Sequence, residues 1–263
     1  MLQSLSLLNR YPREFFERFG LVLVDETHRI GADHFQNDMF NLPGRLRLGM
    51  SATPNRKDGR DVVIQGHIGN VMVKSDTQTL PFRVMRWSTG VNCYSVHHDF
   101  GRTMGLVGYL AKQADRNRGI AKFCKQAWQK GRTVIVFSDT IKHLDIMRQA
   151  TISGGVPEEM TAKYVGGLKK ADREAAQKKP IIFATYKYCS EGTDIPHADT
   201  CVLATPKADV IQIVGRILRD VEGKSQPVVL DVVDSGSEVL DAYYNKRHKF
   251  YTSRQAAVQA VNL

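Results

Sequence analysis

Short apolar runs alternate with amphipathic stretches along the 263-residue chain, and this pattern predicts alternating strands and helices. Four consecutive aliphatic residues at 21–24, LVLV, predict a strand buried on both faces of a parallel sheet. Further apolar runs that predict buried strands lie at residues 133–137, 162–165, 181–184, 201–204 and 228–232. Helical patterns separate them, at residues 107–129, 142–150, 169–178 and 210–219. Strands that alternate with helices predict βαβ units and an α/β fold with parallel sheets.

The predicted elements fall into two series, which we interpret as two lobes followed by a tail. The first lobe covers residues 1–100, the second covers residues 101–250, and residues 251–263 form a C-terminal tail. The first lobe is expected to contain helices near residues 12–17 and 32–41, a strand at 45–50, and strands at the apolar pieces 62–64, 71–73 and 82–85.

Two adjacent carboxylates, Asp25 and Glu26, follow the predicted strand at residues 21–24. Ligands of open α/β sheets collect at the carboxyl ends of the strands. An acidic pair there suits nucleotide hydrolysis, because one carboxylate can hold Mg²⁺ through water while the other orients or deprotonates the attacking water. A solvated acidic turn after a core strand is the alternative that these two residues alone leave open.

Two hydroxyl side chains, Ser51 and Thr53, follow the next predicted strand. The ends of neighbouring parallel strands meet at one edge of a sheet, so these hydroxyls can bond the acidic pair and sense a γ-phosphate. The alternative is a helix N-cap, where Ser and Thr are common.

The chain is basic, with 37 Lys and Arg against 27 Asp and Glu, a formal charge of +10 and a pI near 9.5. This excess favours a polyanionic partner. The four cysteines are scattered without Cys-x-x-Cys spacing, which predicts reduced thiols in a cytoplasmic protein and no zinc site. No apolar run approaches the roughly 18 residues that a membrane span needs.

Four sequence motifs, in this order, resemble those of superfamily 2 helicases. Residues 25–28, DETH, resemble motif II of that family, the DExH box, and residues 51–54, SATP, resemble motif III. Residues 191–196, EGTDIP, resemble motif V, and residues 212–219, QIVGRILR, have the Q-x-x-G-R-x-x-R form of motif VI. Residues 134–139 occupy the place of motif IV. The second half is similar in style to bacteriophage DNA helicases of the branch-migration and replication-fork type.

The resemblance implies two RecA-like lobes, ATP bound in the cleft between them, and nucleic acid crossing both. By position in the motifs, Asp25 would bind Mg²⁺ through water and Glu26 would be the catalytic base. The side chains that would couple hydrolysis to strand movement are Thr27, His28, Ser51 and Thr53. In a viral protein the location would be the host cytoplasm.

The second lobe would supply two arginine fingers, Arg216 and Arg219, with Gln212 helping to orient the phosphate end. Two guanidiniums three residues apart on one helical face can reach a transferring phosphoryl group and stabilise its charge. The acidic pair and the guanidinium pair would then face each other across a shared crevice. The alternatives are a solvated basic helix face or salt bridges to Asp209 and Asp220.

Further roles follow from motif V and from the strand that precedes it. Gly192 and Asp194 would contact the nucleotide or couple it to nucleic acid, and the glycine would permit close backbone approach. Thr185 is a candidate contact to a nucleic-acid phosphate, although a plain strand terminus explains it nearly as well. Basic runs at residues 169–170, 178–179 and 246–249 extend the expected electropositive track or form solvated faces.

The family's phosphate-binding loop, G-x-x-x-x-G-K-[S/T], has no match in the sequence. Residues 223–225, GKS, come nearest, but Leu218 occupies the position of the first glycine and a strand is predicted to follow. We therefore expect a first lobe truncated at its amino-terminal end, with an apolar inner strand left as an exposed edge. A second polypeptide would supply the missing half.

The sequence thus predicts an ATP-dependent DNA helicase or translocase that is inactive as this chain alone, with RNA left open as the substrate. One alternative is a nucleic-acid-binding or regulatory module that does not hydrolyse ATP. Retention of both the acidic pair and the arginine pair argues against it, because a pure binder needs neither. A motor subunit of a restriction or nuclease complex is a third possibility.

Overall fold

Two parallel sheets organise the chain, and each belongs to a different unit. The computed structural model of the chain describes residues 11–31, 38–51, 58–74, 80–96, 103–187 and 195–263. Unit 1 comprises Met1–Thr77, and unit 2 comprises Gln78–Leu263. Among the described helices, none is long and apolar enough to cross a membrane.

Unit 1 is built around a two-stranded parallel sheet, in which Leu21 lies beside Leu46 and Val24 beside Gly49. Its elements are α1 (Arg13–Glu17), β1 (Leu21–Val24), a 3-10 turn (Thr27–Arg29), β2 (Leu46–Gly49) and α2 (Asp61–His67). One face of this sheet packs on a small core that contains Phe16, Val24, Ile30, Met39 and Leu42.

The other face of the unit 1 sheet carries leucines that are exposed. Leu21 and Leu23 are 47% and 60% exposed, and their neighbours Leu46 and Leu48 are 66% and 52% exposed. The prediction that β1 is buried on both faces is therefore wrong for this structure. The reason is the alternation of side chains along a strand, which turns only Val22 and Val24 toward the core. We call these four exposed side chains the leucine face.

Unit 2 contains a seven-stranded sheet in the order β5-β6-β4-β7-β8-β3-β9, with every neighbouring pair parallel. Its strands are β3 (Arg83–Asn92), β4 (Val134–Ser138), β5 (Thr161–Tyr164), β6 (Ile181–Thr185), β7 (Thr200–Leu203), β8 (Val228–Ser235) and β9 (Ala257–Val261). Its helices are α3 (Thr103–Leu110), α4 (Ala114–Gln129), α5 (Ile141–Ser153), α6 (Lys170–Gln177), α7 (Ile211–Ile217) and α8 (Glu238–Ser253), with a 3-10 turn at Glu158–Met160.

Both faces of the central strands are covered, as the unbroken apolar runs predict. Val134 and Val136 of β4 lie in a core shared with α4 and α5, and Ile135 and Phe137 lie in a second core shared with α7 and Tyr251. The alternating directions of the side chains in one strand therefore serve two layers of helices.

The division between the units lies earlier than the predicted boundary at residues 100 and 101. The reason is that β3 pairs with β8 on one side and with β9 on the other, so it belongs to the second sheet. The same pairing shows that residues 257–261 form an edge strand, although the sequence predicts only a tail.

Three other element predictions are wrong. Residues 62–64 lie in helix α2 rather than in a strand, and residues 71–73 have no regular secondary structure. The predicted long helix at 107–129 is two helices, α3 and α4. The break between them is stabilised by Asn117, whose Nδ2 donates a hydrogen bond to the carbonyl of Ala111 at 2.8 Å.

Candidate active site

The acidic pair of unit 1 lies in a tight turn at the carboxyl end of β1. Oδ1 of Asp25 accepts a hydrogen bond from the backbone N–H of Glu26 at 2.8 Å. Glu26 itself has φ 51° and ψ 48°, the left-handed region that residues other than glycine seldom adopt. Such a conformation costs on the order of 1–3 kcal/mol and persists where the surroundings enforce it, often at functional sites.

Thr27 ties this turn to the end of the neighbouring strand. Its backbone N–H and its hydroxyl both donate to the carbonyl oxygen of Met50, at 2.9 and 2.6 Å. Gly49 makes the close approach possible, because a Cβ at that position would lie 2.6 Å from Cγ2 of Thr27. The two strand ends are thus held together by Thr27, a residue of the motif II sequence, and by the two residues that precede the motif III sequence.

His28 joins the acidic turn to Ser51. Its Nδ1 atom lies 3.1 Å from Oγ of Ser51 and 3.2 Å from Oε2 of Glu26. Oε2 is buried and accepts no hydrogen bond of good geometry from the residues that the structure describes. A protonated Nδ1 can donate toward Glu26, whereas an unprotonated Nδ1 can accept from the Ser51 hydroxyl. The structure therefore brings together Glu26, His28 and Ser51, while Thr53 lies outside the described residues.

The donor set of the turn fits a hydrated magnesium ion. Oδ2 of Asp25 accepts no hydrogen bond from the part of the chain that the structure describes, and the side chain is exposed. Mg²⁺ usually keeps several waters and binds one or two carboxylates together with substrate phosphates. No group of three or more His, Cys, Asp or Glu that could hold a metal by itself occurs within the described ranges. The available Oδ2 of Asp25, beside the buried and unbonded Oε2 of Glu26, fits the ion expected from the sequence.

Helix α7 of unit 2 carries two of the predicted phosphate-contacting residues. Gln212 and Arg216 lie one helical turn apart and are both half-buried. The Nε atom of Arg216 is buried and has no hydrogen-bond partner within the described residues. An unsatisfied guanidinium nitrogen is costly unless a ligand completes it, so its geometry suits an anion.

Arg219 does not share a helical face with Arg216, and this part of the prediction is wrong. Helix α7 ends at Ile217, and the carbonyls that follow turn to other partners. The carbonyl of Leu218 accepts from the backbone N–H of Leu80 at 3.2 Å, and that of Arg219 accepts from Nζ of Lys224 at 3.0 Å. The Arg219 side chain is exposed beyond the helix end.

The salt-bridge alternative for Arg216 receives no support from Asp209. That carboxylate instead lies 3.3 Å from Nζ of Lys246. Lys224 of the GKS sequence also donates to the carbonyl of Pro196 at 3.0 Å, and β8 follows it. This position agrees with the expectation that Lys224 does not belong to a phosphate-binding loop.

Polar residues gather where strands β4, β6 and β7 end. Thr185 is half-buried at the end of β6, beside Ser138 of β4. Asp139 accepts from the hydroxyl of Thr205 at 3.0 Å and from Nζ of Lys207 at 3.2 Å. Of the residues expected to bind nucleotide, Gly192 and Asp194 lie outside the described residues.

Beneath this edge, His143 is buried as a neutral imidazole. Its Nε2 lies 2.9 Å from Oδ1 of Asn117 and its Nδ1 lies 3.0 Å from Oγ of Ser138. Because the amide nitrogen of Asn117 faces the carbonyl of Ala111, Oδ1 must accept from Nε2–H, and Nδ1 must accept from the Ser138 hydroxyl. Burial, helped by the nearby Arg116, lowers the pKa of His143 to about 3.

Two buried ion pairs on β8 were not expected from the sequence. Arg116 contacts Asp234 at 2.8 and 2.9 Å, and Arg247 contacts Asp231 with Nε at 3.0 Å and Nη2 at 2.9 Å. The sequence suggested an electropositive track or a solvated face for the basic run that contains Arg247, yet its side chain is only 4% exposed. The informative feature was the charged Asp231 inside the apolar run VVLDVV, since a buried carboxylate requires a partner.

Comparison with known proteins adds family matches for both units. The model described as "Helicase conserved C-terminal domain" matches residues 115–221, and the model described as "Type III restriction enzyme, res subunit" matches residues 2–56. A candidate ATP-dependent RNA helicase of Acanthamoeba polyphaga mimivirus is 26% identical over 268 residues, which cover 98% of this chain and 51% of that protein. The matches support a superfamily 2 helicase.

A second relative of this helicase-like chain comes from African swine fever virus. This candidate ATP-dependent RNA helicase is 28% identical over 281 residues, which cover 95% of the chain and 54% of the relative. The chain therefore spans about half the length of the curated relatives it matches.

Two solved structures share the helicase fold of the chain. S. cerevisiae Dbp5 bound to RNA and ADP BeF3 has a TM-score of 0.57 at 13% identity, covering 97% of this chain and 63% of that one. The DUF1998 helicase MrfA bound to DNA and AMPPNP has a TM-score of 0.62 at 14% identity, covering 98% and 36%. The prediction of an α/β fold with parallel sheets of RecA-like type is confirmed.

Proposed function

We propose that this chain acts in an ATP-dependent helicase or translocase that moves on nucleic acid. The observation that carries the proposal is the cluster of Glu26, His28 and Ser51, in which a buried carboxylate oxygen lacks a well-directed hydrogen bond. Hydrolysis needs a base beside the attacking water. A module that only binds nucleic acid has no use for a carboxylate held in this way.

Unit 1 would hold Mg²⁺ with ATP and activate the water. Asp25 would bind the ion through water, and the ion supplies charge neutralisation for the phosphates when it is bound. Oε2 of Glu26 would orient the attacking water and take its proton. His28 can bond either Glu26 or Ser51, so its bond would change when Glu26 takes up the proton. Thr27, which ties the two strand ends together, and Thr53 complete the coupling set.

Unit 2 would contribute positive charge to the same nucleotide. Arg216 and Arg219 would stabilise the transferring phosphoryl group, and Gln212 would orient the phosphate end. The unsatisfied Nε of Arg216 supports its part in this role. Further contacts come from the resemblance: Gly192 and Asp194 to the nucleotide, and Thr185 to a nucleic-acid phosphate.

A further polypeptide is proposed to complete the nucleotide site by supplying the Walker A loop. Parallel strands are normally covered on both faces, yet the leucine face of unit 1 is exposed. The curated relatives are about twice as long as this chain, which leaves room for such a segment in them. The leucine face would be the surface that this polypeptide covers.

The nucleic acid is proposed to be DNA, on the resemblance to bacteriophage DNA helicases. The two viral relatives are named as RNA helicases, which favours RNA instead. ATP hydrolysis stimulated by one polymer and not by the other would decide between them.

The test measures ATP hydrolysis by this chain, alone and with a polypeptide that bears the phosphate loop, each with DNA and with RNA. The proposal expects stimulated turnover only in the mixture that contains both polypeptides and nucleic acid. Robust turnover by the chain alone would contradict the need for a partner, and no turnover in any mixture would contradict the enzyme. Leu23→Asp should abolish turnover in the mixture, whereas Val62→Asp, at a 72% exposed position on α2, should preserve it.

A non-hydrolysing nucleic-acid-binding or regulatory module is the alternative proposal. It predicts nucleic-acid binding that is insensitive to ATP and to substitution of Glu26. The match of unit 1 to the restriction-enzyme model keeps a motor subunit of a restriction complex as a second candidate. Cleavage of DNA by the reconstituted protein would favour that candidate.

A further inference from the structure

Asp231 is an unusual residue for the middle of a buried strand. It lies fully buried in β8, beside Leu203 of β7 and Arg86 of β3. Its carboxylate is satisfied by Arg247 and by the hydroxyl of Tyr251, which donates to Oδ2 at 3.0 Å. Burying such a pair seldom adds stability over an apolar pair of equal volume. The buried pair therefore raises the question of what else the guanidinium of Arg247 contacts.

The third guanidinium nitrogen of Arg247, Nη1, lies outside the ion pair and contacts a loop. Nε and Nη2 face Asp231, while Nη1 donates to the backbone carbonyl of Lys207 at 2.7 Å. The planar fork of an arginine can serve a carboxylate and a separate acceptor at fixed angles, which the single ammonium of a lysine cannot do.

That loop, residues 204–210, joins β7 to helix α7. Helix α7 has seven residues, and its N-cap residue Val210 provides no side-chain capping bond. The carboxylate of Asp209 accepts from the backbone N–H of Ile211, but only at 3.4 Å, so this short helix owes its position mainly to tertiary contacts. The loop is also held by the hydroxyl of Tyr186, which donates to the carbonyl of Thr205 at 2.9 Å, and by Lys246, which lies 3.3 Å from Asp209.

We infer that Arg247 is a positioning residue that fixes the loop at Lys207 and thereby the start of α7, the helix that carries Gln212 and Arg216. Helix α8 acts as a brace, with Asp231 as its anchor on the sheet and the Lys207 carbonyl as its contact. The consequence for hydrolysis rests on the proposed function, but the mechanical role does not.

The second buried pair of unit 2 provides a matched control. Arg116 also donates two hydrogen bonds to a carboxylate of β8, that of Asp234, and both side chains are buried. Its third nitrogen, Nη1, has no hydrogen-bond partner within the described residues. Arg116→Lys therefore perturbs a similar ion pair without removing a bond to the loop.

The test is hydrogen–deuterium exchange of the whole chain, followed by mass spectrometry of peptides that cover residues 204–217. Arg247→Lys should raise exchange there by about fivefold relative to peptides of β4 and β6, because one hydrogen bond is worth roughly 1 kcal/mol. Arg116→Lys should show no such preference for this segment. Equal exchange of residues 204–217 in the two variants would overturn the inference.

A measurement on the unaltered chain keeps the inference testable if Arg247→Lys does not fold. In native-state exchange at increasing urea, a braced helix α7 should open together with α8. If residues 211–217 open at much lower urea than residues 238–253, the brace does not exist.

The kinetics of ATP hydrolysis provide a separate test. In a hydrolysing preparation, Arg247→Lys should lower kcat by about tenfold with little change in the KM for ATP, since a displaced Arg216 would weaken transition-state contacts only. Absence of hydrolysis in every mixture of the unaltered chain with the phosphate-loop polypeptide and nucleic acid would contradict the proposed function, while the hydrogen-exchange experiment still tests the brace. An unchanged kcat beside an active unaltered enzyme would contradict the role of the brace in hydrolysis.

Discussion

The Nδ1 atom of His28 lies 3.1 Å from the Oγ atom of Ser51, across the ends of two paired strands. The same nitrogen lies 3.2 Å from Oε2 of Glu26. One ring nitrogen thus stands between the proposed base and the hydroxyl at the end of the next strand. This placement links the chemistry of one motif to the position of the other.

Ser51→Ala should uncouple hydrolysis from nucleic acid. It removes the hydroxyl that competes with Glu26 for His28, while the bonds of Thr27 to Met50 remain. We expect the ratio of stimulated to unstimulated ATP turnover to fall about fivefold or more, which is the usual scale of a coupling between sites. The measurement is turnover with and without saturating nucleic acid. An unchanged ratio would mean that the hydroxyl has no part in coupling.

Gly49→Ala should destabilise unit 1. The added methyl group would lie 2.6 Å from Cγ2 and 2.9 Å from Oγ1 of Thr27, so the turn must shift. Overpacking of this kind typically costs about 1–3 kcal/mol. Faster hydrogen exchange of residues 21–31 would report the loss.

Gly66→Ala is the matched control in the same unit. Gly66 lies inside helix α2, and a Cβ there meets nothing within 4 Å. The change should stabilise the helix by about 0.5–1 kcal/mol. If both alanine variants shift stability in the same direction, the close packing of Gly49 on Thr27 is not what limits that position.

His143 should make unit 2 sensitive to acid. The pKa of His143 is lowered from 6.5 to about 3 in the folded chain, chiefly by burial. Below pH 6.5 the unfolded chain therefore binds a proton that the folded chain does not, until the pH reaches about 3. The contribution is fully present above pH 6.5 and is lost as the pH falls, with a slope of up to about 1.4 kcal/mol per pH unit.

Urea unfolding of the chain and of His143→Gln at several pH values between 7 and 4 measures this slope. The variant loses the bonds to Ser138 and Asn117, so it should be less stable at pH 7. Between pH 6 and 4 the free energy of unfolding of the variant should fall less steeply with pH than that of the unaltered chain. The difference in slope should correspond to nearly one bound proton. Identical slopes would contradict the burial of a neutral imidazole.

Most of the second sheet could be predicted from the sequence because its strands are unbroken apolar runs. Strand β9 could not, because its residues 257–261, AVQAV, owe their strand conformation to pairing with β3. The leucine face also escaped prediction, since LVLV reads the same whether one face or both are covered. Pattern gives the character of a strand but not the elements that cover it.

The candidate site was predictable where its residues directly follow neighbouring parallel strands in the sequence. Glu26, His28 and Ser51 come together because two parallel strands end side by side. Arg219 was misplaced because the carbonyls that follow helix α7 accept hydrogen bonds from outside the helix, that of Leu218 from the distant Leu80 and that of Arg219 from the side chain of Lys224. Arg247 was missed because its buried partner Asp231 lies on another element.

We propose that Glu26 of unit 1 and Arg216 of unit 2 act in the same hydrolysis. The most direct measurement is single-turnover ATP hydrolysis by the reconstituted protein with nucleic acid, for the unaltered chain, Glu26→Gln and Arg216→Gln, with nucleotide binding measured in parallel. We predict that each substitution lowers the single-turnover rate of ATP hydrolysis by at least about a hundredfold while ATP binding persists. Hydrolysis at the unaltered rate in either variant would contradict it.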